Sequence, residues 1–318
     1  MPIYFAPLEG ITDAYFRRIH HQHFSGVSKY YIPFISPTQN LCFTHRDLTA
    51  ISPELNAGVP AVPQILTKHA AHFLWAAQQF ADMGYKEVNL NAGCPSGTVT
   101  AKGKGAGMLT DIPALESFLD VVFAKSPLPV SIKTRIGFTS AAEFERILEL
   151  YERYPICELT IHPRTRTEYY KGAPHRDIYA EALQSSKLPL VYNGDLFSAD
   201  ACRAFEASYP GTKALMLGRG LIANPALAQE LSGGSALDAS HLRRFHDDLM
   251  EAYCEVYPPH VVLGRIRELA LHIVCCFDNP AKPQKAIRKA STLQAYREAI
   301  DKLFSEHALC AHPAFSAR

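Results

Sequence analysis

The chain has 318 residues, of which 47% are hydrophobic and 20% are charged, and its 32 Lys and Arg residues against 31 Asp and Glu residues give a formal charge of +1. This length and composition are typical of a globular protein with one large domain or two ordinary ones, and they exclude disorder, collagen and coiled coil as the main architecture. A nearly neutral chain is also unlike proteins that coat nucleic acid through an overall positive charge, although a local basic patch is allowed.

The sequence shows neither an export signal nor a membrane-spanning segment. The N-terminus reaches an acid, Glu9, before an apolar signal core can form, and the apolar run at residues 269–277 is about half as long as a membrane span. The eight cysteines form no Cys-x-x-Cys pair, and a chain of this size does not need disulfides to fold. We therefore expect a cytoplasmic protein with reduced cysteines and no membrane partner.

Short β-rich segments alternate with amphipathic helical segments through most of the chain. We predict strands at residues 3–6, 27–32, 61–66, 87–91, 130–135, 159–162, 188–193 and 214–217, with helices at residues 68–83, 113–125, 141–154 and 198–208. Eight such strands predict a (β/α)8 TIM barrel over residues 1–235. A doubly wound parallel sheet is the alternative, but the turn Pro7-Leu8-Glu9-Gly10 lacks the glycine-rich phosphate-binding pattern that usually follows its first strand.

The pattern becomes purely helical after a turn-rich segment at residues 232–235. We predict helices at about residues 240–256, 261–276 and 283–304, which form a smaller all-helical domain over residues 236–318. Four cations fall at helical spacing on one face of this domain, namely Lys282, Lys285, Arg288 and Lys289. This face is either a surface for RNA or an ordinary solvated helix face.

Polar side chains stand at seven of the eight predicted strand ends, where barrel enzymes carry their reactive groups. Donors of the Gln, Asn, Lys, Arg and His types would surround a large, planar, anionic ligand at the barrel mouth. The segments Asn193-Gly194-Asp195 and Gly218-Arg219-Gly220 follow strands 7 and 8, which form the usual phosphate site of such barrels. Flavin mononucleotide (FMN) meets both requirements.

Three histidines lie close together in the sequence, at His20, His21 and His23. They do not share a helix face, so we expect no metal site.

These motifs together resemble the tRNA-dihydrouridine synthase family, flavin enzymes that reduce uridine in tRNA. The resemblance covers the whole barrel and rests on Ala6-Pro7-Leu8-Glu9-Gly10-Ile11-Thr12-Asp13, Gln64, Asn89-Leu90-Asn91-Ala92-Gly93-Cys94-Pro95, Lys133-Thr134-Arg135, His162-Pro163-Arg164-Thr165, Asn193-Gly194-Asp195 and Gly218-Arg219-Gly220. It continues more weakly in Arg265-Ile266-Arg267, which is similar to the family's arginine-rich helix. Gly97 stands where a lysine is common in the family, so Lys102 or Lys104 would supply the RNA contact of that lysine.

The resemblance implies an FMN-dependent reduction of the C5=C6 bond of specific uridines in tRNA to 5,6-dihydrouridine, with NADPH or NADH recharging the flavin. Hydride from the flavin would arrive at C6 of the uracil, and Cys94 would act as the general acid that protonates C5. A thiol with an ordinary pKa of about 8.5 is largely protonated at neutral pH, as a proton donor must be. Lys133 would stabilise the negative charge of the reduced flavin.

The implied site residues fall into two groups. The cofactor-binding group consists of Pro7, Leu8, Glu9, Gln64, Lys133, His162, Asn193, Gly194, Asp195, Gly218 and Arg219. The substrate-binding group consists of Asn91, Lys102, Lys104, Arg135, Arg164, Arg166, Arg265, Arg267, Lys282, Lys285, Arg288 and Lys289. Structural roles are the alternatives for some members: a satisfied core histidine for His162, loop salt bridges for Arg135 and Arg164, and a turn cap for Glu9.

Two other functions stay open at this point. A small-molecule flavin ene-reductase, or a dihydropyrimidine-type dehydrogenase, would use the same barrel, but a free nucleobase does not need a cationic helical tail. A non-catalytic RNA-binding protein would use the tail, but it would not need Cys94 and Lys133 within intact motifs.

Overall fold

A computed structural model describes residues 1–310, so the last eight residues of the predicted helical domain lie outside the described residues. Nine short parallel strands form one sheet that curls into a barrel. The strands are β1 (Ile3–Phe5), β2 (Val27–Tyr31), β3 (Ala61–Val62), β4 (Gln64–Ile65), β5 (Val88–Ala92), β6 (Val130–Arg135), β7 (Leu159–His162), β8 (Leu190–Tyr192) and β9 (Ala214–Leu217). All eight predicted strands are present, and the predicted barrel is confirmed.

The barrel closes at Pro63, which splits the third predicted strand into β3 and β4. The strand order is β3-β2-β1-β9-β8-β7-β6-β5-β4, so the two halves of this segment form the two ends of the sheet. Pro63 has no N–H to donate to a ladder, but its carbonyl oxygen accepts from Asn89 N at 2.9 Å. The segment therefore pairs with β2 before Pro63 and with β5 after it, and the sheet has no long open edge.

Helices cover the outside of the barrel between the strands. They are α1 (Ala14–His23), α2 (His45–Ile51), α3 (Ala70–Asp82), α4 (Gly97–Thr100), α5 (Ile112–Lys125), α6 (Phe144–Tyr151), α7 (Arg176–Ser185), α8 (Ala199–Ser208), α9 (Arg219–Ala223) and α10 (Leu227–Leu231). Short 3-10 helices add Gly105–Thr110 and Ala141–Glu143. The four helices predicted in this part of the chain are all present.

An ion-pair cluster fills the amino-terminal end of the barrel. Lys29 Nζ lies 2.6 Å from carboxylate oxygens of both Glu87 and Glu158, and Tyr4 Oη donates to Glu158 at 2.7 Å. Burial raises the pKa of Tyr4 far above its usual range, and the bonded carboxylate adds to that shift. Because this end is filled by paired side chains, a ligand can enter the barrel only from the opposite mouth, where the carboxyl ends of the strands meet.

Up to residue 310, four helices follow the barrel: α11 (Ala239–Val256), α12 (Pro259–Ile273), α13 (Ala281–Lys289) and α14 (Leu293–Glu306), with a 3-10 turn at Val274–Cys276. The single helix predicted at residues 283–304 is wrong. Thr292 has extended backbone and its hydroxyl accepts from Ala295 N, so it caps a new helix and separates α13 from α14.

The tail packs closely on the barrel. Arg265 Nη1 pairs with Asp13 Oδ2 at 2.5 Å, and Tyr253 Oη donates to Asp13 Oδ1 at 3.2 Å. One continuous hydrophobic core runs from the barrel helices into the tail, with Phe16 and Phe245 in edge contact. The domain boundary at residue 235 stays a prediction.

None of the described helices is both long and apolar enough to cross a membrane.

Candidate active site

A cavity of about 380 Å³ opens at the carboxyl ends of the strands, within the range of ligand sites in enzymes. Fourteen of the predicted site residues line it together: Pro7, Leu8, Glu9, Gln64, Asn91, Cys94, Lys133, Arg135, His162, Asn193, Gly194, Asp195, Gly218 and Arg219. The predicted contacts Arg164, Arg166, Lys102, Lys104 and those of the tail lie outside its lining. The strand ends thus converge as the parallel barrel requires.

Amide side chains form a hydrogen-bonded row across the barrel floor. Asn91 Nδ2 donates to Gln64 Oε1, Gln64 Nε2 donates to Asn89 Oδ1, and Asn89 Nδ2 donates to Ser131, each at 2.7 Å. The row fixes the orientation of the Gln64 and Asn91 amides before any ligand binds. The sequence analysis did not assign roles to Asn89 and Ser131, although their even spacing from Asn91 and Lys133 along the strands places them on the same inward face.

The Cys94 loop is held from both sides. Asn91 Oδ1 accepts from Gly93 N at 3.1 Å and from Cys94 N at 2.9 Å. On the other side, Gly105 has φ +57°, and a Cβ atom there would lie 2.9 Å from Cys94 Cβ. Residues 103–107 enter a buried 3-10 helix that packs against β5. The thiol therefore has a fixed position at the edge of the cavity.

Lys133 brings a cation into the cavity without an acid beside it. Within residues 1–310 its ammonium has no recorded hydrogen bond or ion pair, and Arg135 shares its face of β6. Burial, and to a lesser degree the neighbouring Arg135, lower the pKa of Lys133 to about 7, whereas Cys94 acts in the opposite sense. An anion bound in the cavity would relieve both penalties, so this lysine fits an anionic ligand.

His162 is buried beside Arg164 at the end of β7. Burial holds the pKa of His162 well below its usual range, and Arg135, Lys133, Arg164 and Arg219 reinforce this, so the ring is neutral. Arg164 Nη1 lies 3.1 Å from His162 Nε2. Because a guanidinium only donates, we infer that Nε2 accepts and that the ring proton is on Nδ1, where it can be donated to a carbonyl oxygen.

Arg164 uses its donors within the protein. Its guanidinium is fully buried, pairs with Asp195 Oδ2, and donates to Lys171 O at 3.2 Å and Gly172 O at 2.5 Å. The structure therefore favours the salt-bridge alternative over a direct substrate contact for this residue.

Arg219 has the features of a phosphate ligand. Its Nη2 pairs with Asp195 Oδ1 at 2.5 Å, while its Nη1 is buried without an acceptor among the described residues. Asp195 has φ 31° and bridges Arg164 and Arg219, so it orients the Arg219 guanidinium. A buried donor without a partner is costly, and a phosphate oxygen would satisfy it. The residues present therefore fit an anionic, flat cofactor with its phosphate near Arg219.

Four aromatic or imidazole side chains of the cavity were missed from the sequence: Phe34, Tyr170, Phe197 and His272. The guanidinium carbons of Arg135 and Arg219 each lie 5.3 Å from the centroid of the Tyr170 ring. His272 comes from α12 of the tail, and burial and Arg219 lower its pKa. No sequence signal marks His272, because only the packing of the tail on the barrel brings it to the cavity.

The predicted cationic RNA contacts occupy three places. Beside the Cys94 loop, Lys102 is exposed and Lys104 Nζ donates to Ser36 at 2.9 Å. Lys68 adds a third cation to this group, because its Nζ lies 3.6 Å from the position that a Cβ atom would have at Gly103. In the tail, Arg265 is engaged with Asp13, and Arg267 donates to Ala290 O at 3.0 Å. The remaining tail cations, Lys282, Lys285, Arg288 and Lys289, are all exposed on α13.

Glu9 pairs with Arg46 instead of capping a turn.

Within residues 1–310 no group of three or more His, Cys, Asp or Glu side chains is arranged to hold a metal ion.

Comparisons with known proteins agree on one family. The family model described as "Dihydrouridine synthase (Dus)" matches residues 4–297. The chain is 30% identical to "Probable tRNA-dihydrouridine synthase 2" of Bacillus subtilis over 281 residues, which are 84% of this chain and 83% of that protein. It is 29% identical to "tRNA-dihydrouridine synthase B" of Shewanella oneidensis over 273 residues, 84% of each protein.

Similar solved structures include morphinone reductase, with a TM-score of 0.53 and 14% identity over 75% of this chain and 87% of that one. The old yellow enzyme homologue from Zymomonas mobilis is also similar, with a TM-score of 0.53 and 13% identity over 75% and 90% of the two chains. At these identities the similarity shows the fold.

Proposed function

The chain belongs to the dihydrouridine synthase family, an oxidoreductase family, and from this premise we propose that it is a cytoplasmic tRNA-dihydrouridine synthase that uses FMN and is recharged by NADPH or NADH. It reduces the C5=C6 bond of specific uridines in tRNA. The observation that carries the proposal is the convergence of Cys94, Lys133, His162 and Arg219 on one cavity at the barrel mouth.

The residues that would hold the cofactor are already oriented by the protein. Arg219 Nη1, which is buried without an acceptor among the described residues, and the glycine-containing turns at Gly194 and Gly218 would receive the phosphate, and Gln64, Lys133 and His162 would contact the ring system. When bound, the flavin supplies the hydride that adds to C6 of the uracil. The ammonium of Lys133 and the neutral His162 donate to electron-rich oxygen atoms, and the surrounding barrel excludes water from them.

Cys94 completes the reduction by giving its thiol proton to C5 of the uracil. Its backbone N–H is fixed by Asn91 Oδ1 at 2.9 Å and Gly105 limits its movement, so the thiol reaches one place above the cavity floor. Asn91 and Arg135 stand at the same edge and position the uracil. Proton transfer to carbon is slow without a placed acid, which is why a rigid loop suits this role.

The tRNA is bound outside the cavity by cations of the barrel rim and of the tail. A uridine that is stacked in folded tRNA must leave its stack to enter the barrel, at a cost of a few kcal/mol, so contacts elsewhere on the RNA have to compensate. Lys68, Lys102 and Lys104 border the Cys94 loop, and Lys282, Lys285, Arg288 and Lys289 form a second patch on α13. We assign the first group to the RNA near the reacting uridine and the second to a more distant part of the tRNA.

The test is the formation of dihydrouridine in tRNA by the purified protein with FMN and NADPH or NADH. Unmodified tRNA from a deletion strain is the substrate, and mass spectrometry maps the product. The protein is expected to purify yellow and to reduce one or a few uridine positions in tRNA. Reduction of free uridine or small enones, but not of tRNA, would favour the ene-reductase alternative. A colourless protein that binds tRNA and cannot be reconstituted with FMN would favour the RNA-binding alternative.

A further inference from the structure

Two neighbouring loops at the barrel mouth build a cluster of flat side chains, Phe138, Arg166 and Tyr169, which we call the rim stack. The guanidinium carbon of Arg166 lies 5.3 Å from the centroid of the Phe138 ring and 5.0 Å from that of the Tyr169 ring. Backbone bonds join the two loops, because Arg166 N donates to Gly137 O at 2.9 Å and Thr167 N donates to Phe138 O at 3.0 Å. The arrangement is therefore built into the scaffold.

Tyr169 combines a strained backbone with an exposed ring. Its φ is 54°, in the left-handed region that favours glycine over residues with a Cβ atom, yet 39% of the residue is exposed. Glu168 holds the turn from inside, accepting from Thr165 N at 2.6 Å and bonding His175 Nε2 at 2.7 Å. A glycine at position 169 would fit the same turn with less strain. The exposed ring thus points to a contact outside the chain.

The rim stack borders the loop that carries the proton donor. A Cβ atom at Gly97, three residues after Cys94, would lie 3.6 Å from Arg166 Nη2. The adjacent residues Tyr169 and Tyr170 lie on different sides of the rim. Tyr170 lines the cavity, whereas Tyr169 lies outside the cavity lining. A polymer whose reacting residue occupies the cavity would have to cross the rim stack or the opposite rim.

The chemistry of the rim stack matches a nucleotide. Arg166 Nε is buried without an acceptor among the described residues, and no ion pair is recorded for its guanidinium. A cation without an acid suits a phosphate, and a flat ring suits a nucleobase, whose stacking on an aromatic side chain is worth about 1–3 kcal/mol and depends little on the base.

We propose that the rim stack binds the nucleotide next to the reacting uridine in tRNA, with Tyr169 stacked on its base and Arg166 close to its phosphate. This inference rests on the proposed function, because it concerns the same RNA substrate. A uridine that leaves its stack exposes the face of its neighbour, and Tyr169 replaces the lost stacking partner. The strain at Tyr169 is retained because the ring serves the substrate and not the fold.

The experiment measures kcat/KM for tRNA reduction and the melting temperature of the holoenzyme for Tyr169→Gly, Tyr169→Phe and Leu41→Gly. Leu41 is the matched control, since it has φ 51° and is 38% exposed. Tyr169→Gly is expected to lower kcat/KM about 10-fold, the loss that corresponds to a stacking contact. Its melting temperature should stay within about 2 °C of the parent, because relief of strain offsets the entropy that glycine adds to the unfolded chain. Tyr169→Phe and Leu41→Gly should keep the parent activity.

Abasic tRNAs identify the partner. Removal of the base on one side of the reacting uridine should abolish the difference between the parent and Tyr169→Gly, while oxidation of NADPH without tRNA stays equal for all variants. Equal losses on intact and on both abasic tRNAs, or an equal loss in Leu41→Gly, would overturn the inference. A parent enzyme that forms no dihydrouridine would refute the proposed function and this inference with it, whereas an active parent with an equally active Tyr169→Gly variant would refute this inference alone.

Discussion

A lysine ammonium without an acid partner stands at the active-site cavity, and this has a measurable consequence for stability. The pKa of Lys133 is about 7 in the folded protein, lowered from 10.5 mainly by burial. Between these values the folded protein binds fewer protons than the unfolded chain, so its stability rises with pH. The penalty of burying the charge is complete below pH 7 and fades toward pH 10.

Replacing Lys133 by methionine should therefore stabilise the flavin-free protein at low pH more than at high pH. We expect the free energy of unfolding to rise by roughly 1–3 kcal/mol at about pH 6.5, less than the full pKa shift because the ammonium faces a cavity that water can enter. At about pH 9.5 most of this gain should be lost. Denaturant titrations at both pH values measure the difference. An equal gain at both would contradict the buried-charge explanation.

Cys94 offers a test of the chemical step at the same scale. Cys94→Ala should bind FMN and oxidise NADPH like the parent, because the thiol acts only on the uracil. Its rate of dihydrouridine formation in tRNA should fall by about 10²–10⁴, the usual contribution of a general acid. Cys254→Ala, which changes an exposed cysteine of α11, is the control and should be fully active. A Cys94→Ala enzyme with parent activity would remove Cys94 from the mechanism.

At the scale of elements, the loop between β5 and α5 determines where the thiol stands. Gly105 has left-handed backbone and no space for a side chain, because a Cβ atom would meet both Cβ and O of Cys94 at 2.9 Å. The same loop continues into the buried 3-10 helix at Gly105–Thr110. Gly105 therefore allows the close packing of this loop against Cys94.

Gly105→Ala should displace Cys94 and lower the rate of uridine reduction by at least about 10-fold, because small misplacements of reacting groups are costly. FMN content should be unchanged. Gly58→Ala is the control that tests backbone strain without a steric clash. Gly58 has φ +76°, but no atom lies within 4 Å of the Cβ atom that alanine would add. This variant should lose stability without losing activity. Melting curves and tRNA kinetics of both variants are the measurement, and equal activity losses would argue against the collision.

At the scale of the whole molecule, the tail completes the cavity and carries the cationic face that we propose for RNA binding. Arg265 and Tyr253 clamp Asp13 of the barrel, and His272 reaches the cavity lining. The α13 face stays free for a polyanion, with Lys282, Lys285, Arg288 and Lys289 exposed. The tail residues nearest the barrel thus hold the structure together, while the cations of α13 form no ion pair within residues 1–310 and are the ones that we propose to bind the substrate.

Reversing two of these charges should weaken tRNA binding in a salt-dependent way. Lys285→Glu with Arg288→Glu is expected to reduce the slope of log K against log salt by about 2, since each phosphate contact contributes about 0.9. Flavin content and NADPH oxidation should not change. Lys125→Glu with Lys187→Glu reverses two exposed charges at the opposite end of the barrel and should leave binding intact. Parent-like affinity of the α13 variant would reassign this face to solubility.

The sequence by itself determined the barrel, the order of its elements and most of the cavity. Strand alternation and helical periodicity are local patterns, and the closure of parallel strands brings their carboxyl ends to one mouth, so Gln64, Cys94, Lys133 and His162 had to meet. Helical spacing also predicted that the α13 cations share one face. It did not separate α13 from α14, because the helix cap at Thr292 was not recognised in the sequence.

Only the tertiary structure decided which of these groups are free to act. Arg164 and Arg219 are alike in sequence, but packing commits the first to Asp195 and backbone carbonyls and leaves a buried donor of the second without a partner. Likewise His272, far along the chain, lines the cavity because α12 packs on the barrel, and Tyr169 faces outward because its turn is left-handed. The partners of a side chain and the direction in which it points depend on contacts between segments that are distant in the sequence. No local sequence pattern predicts such contacts.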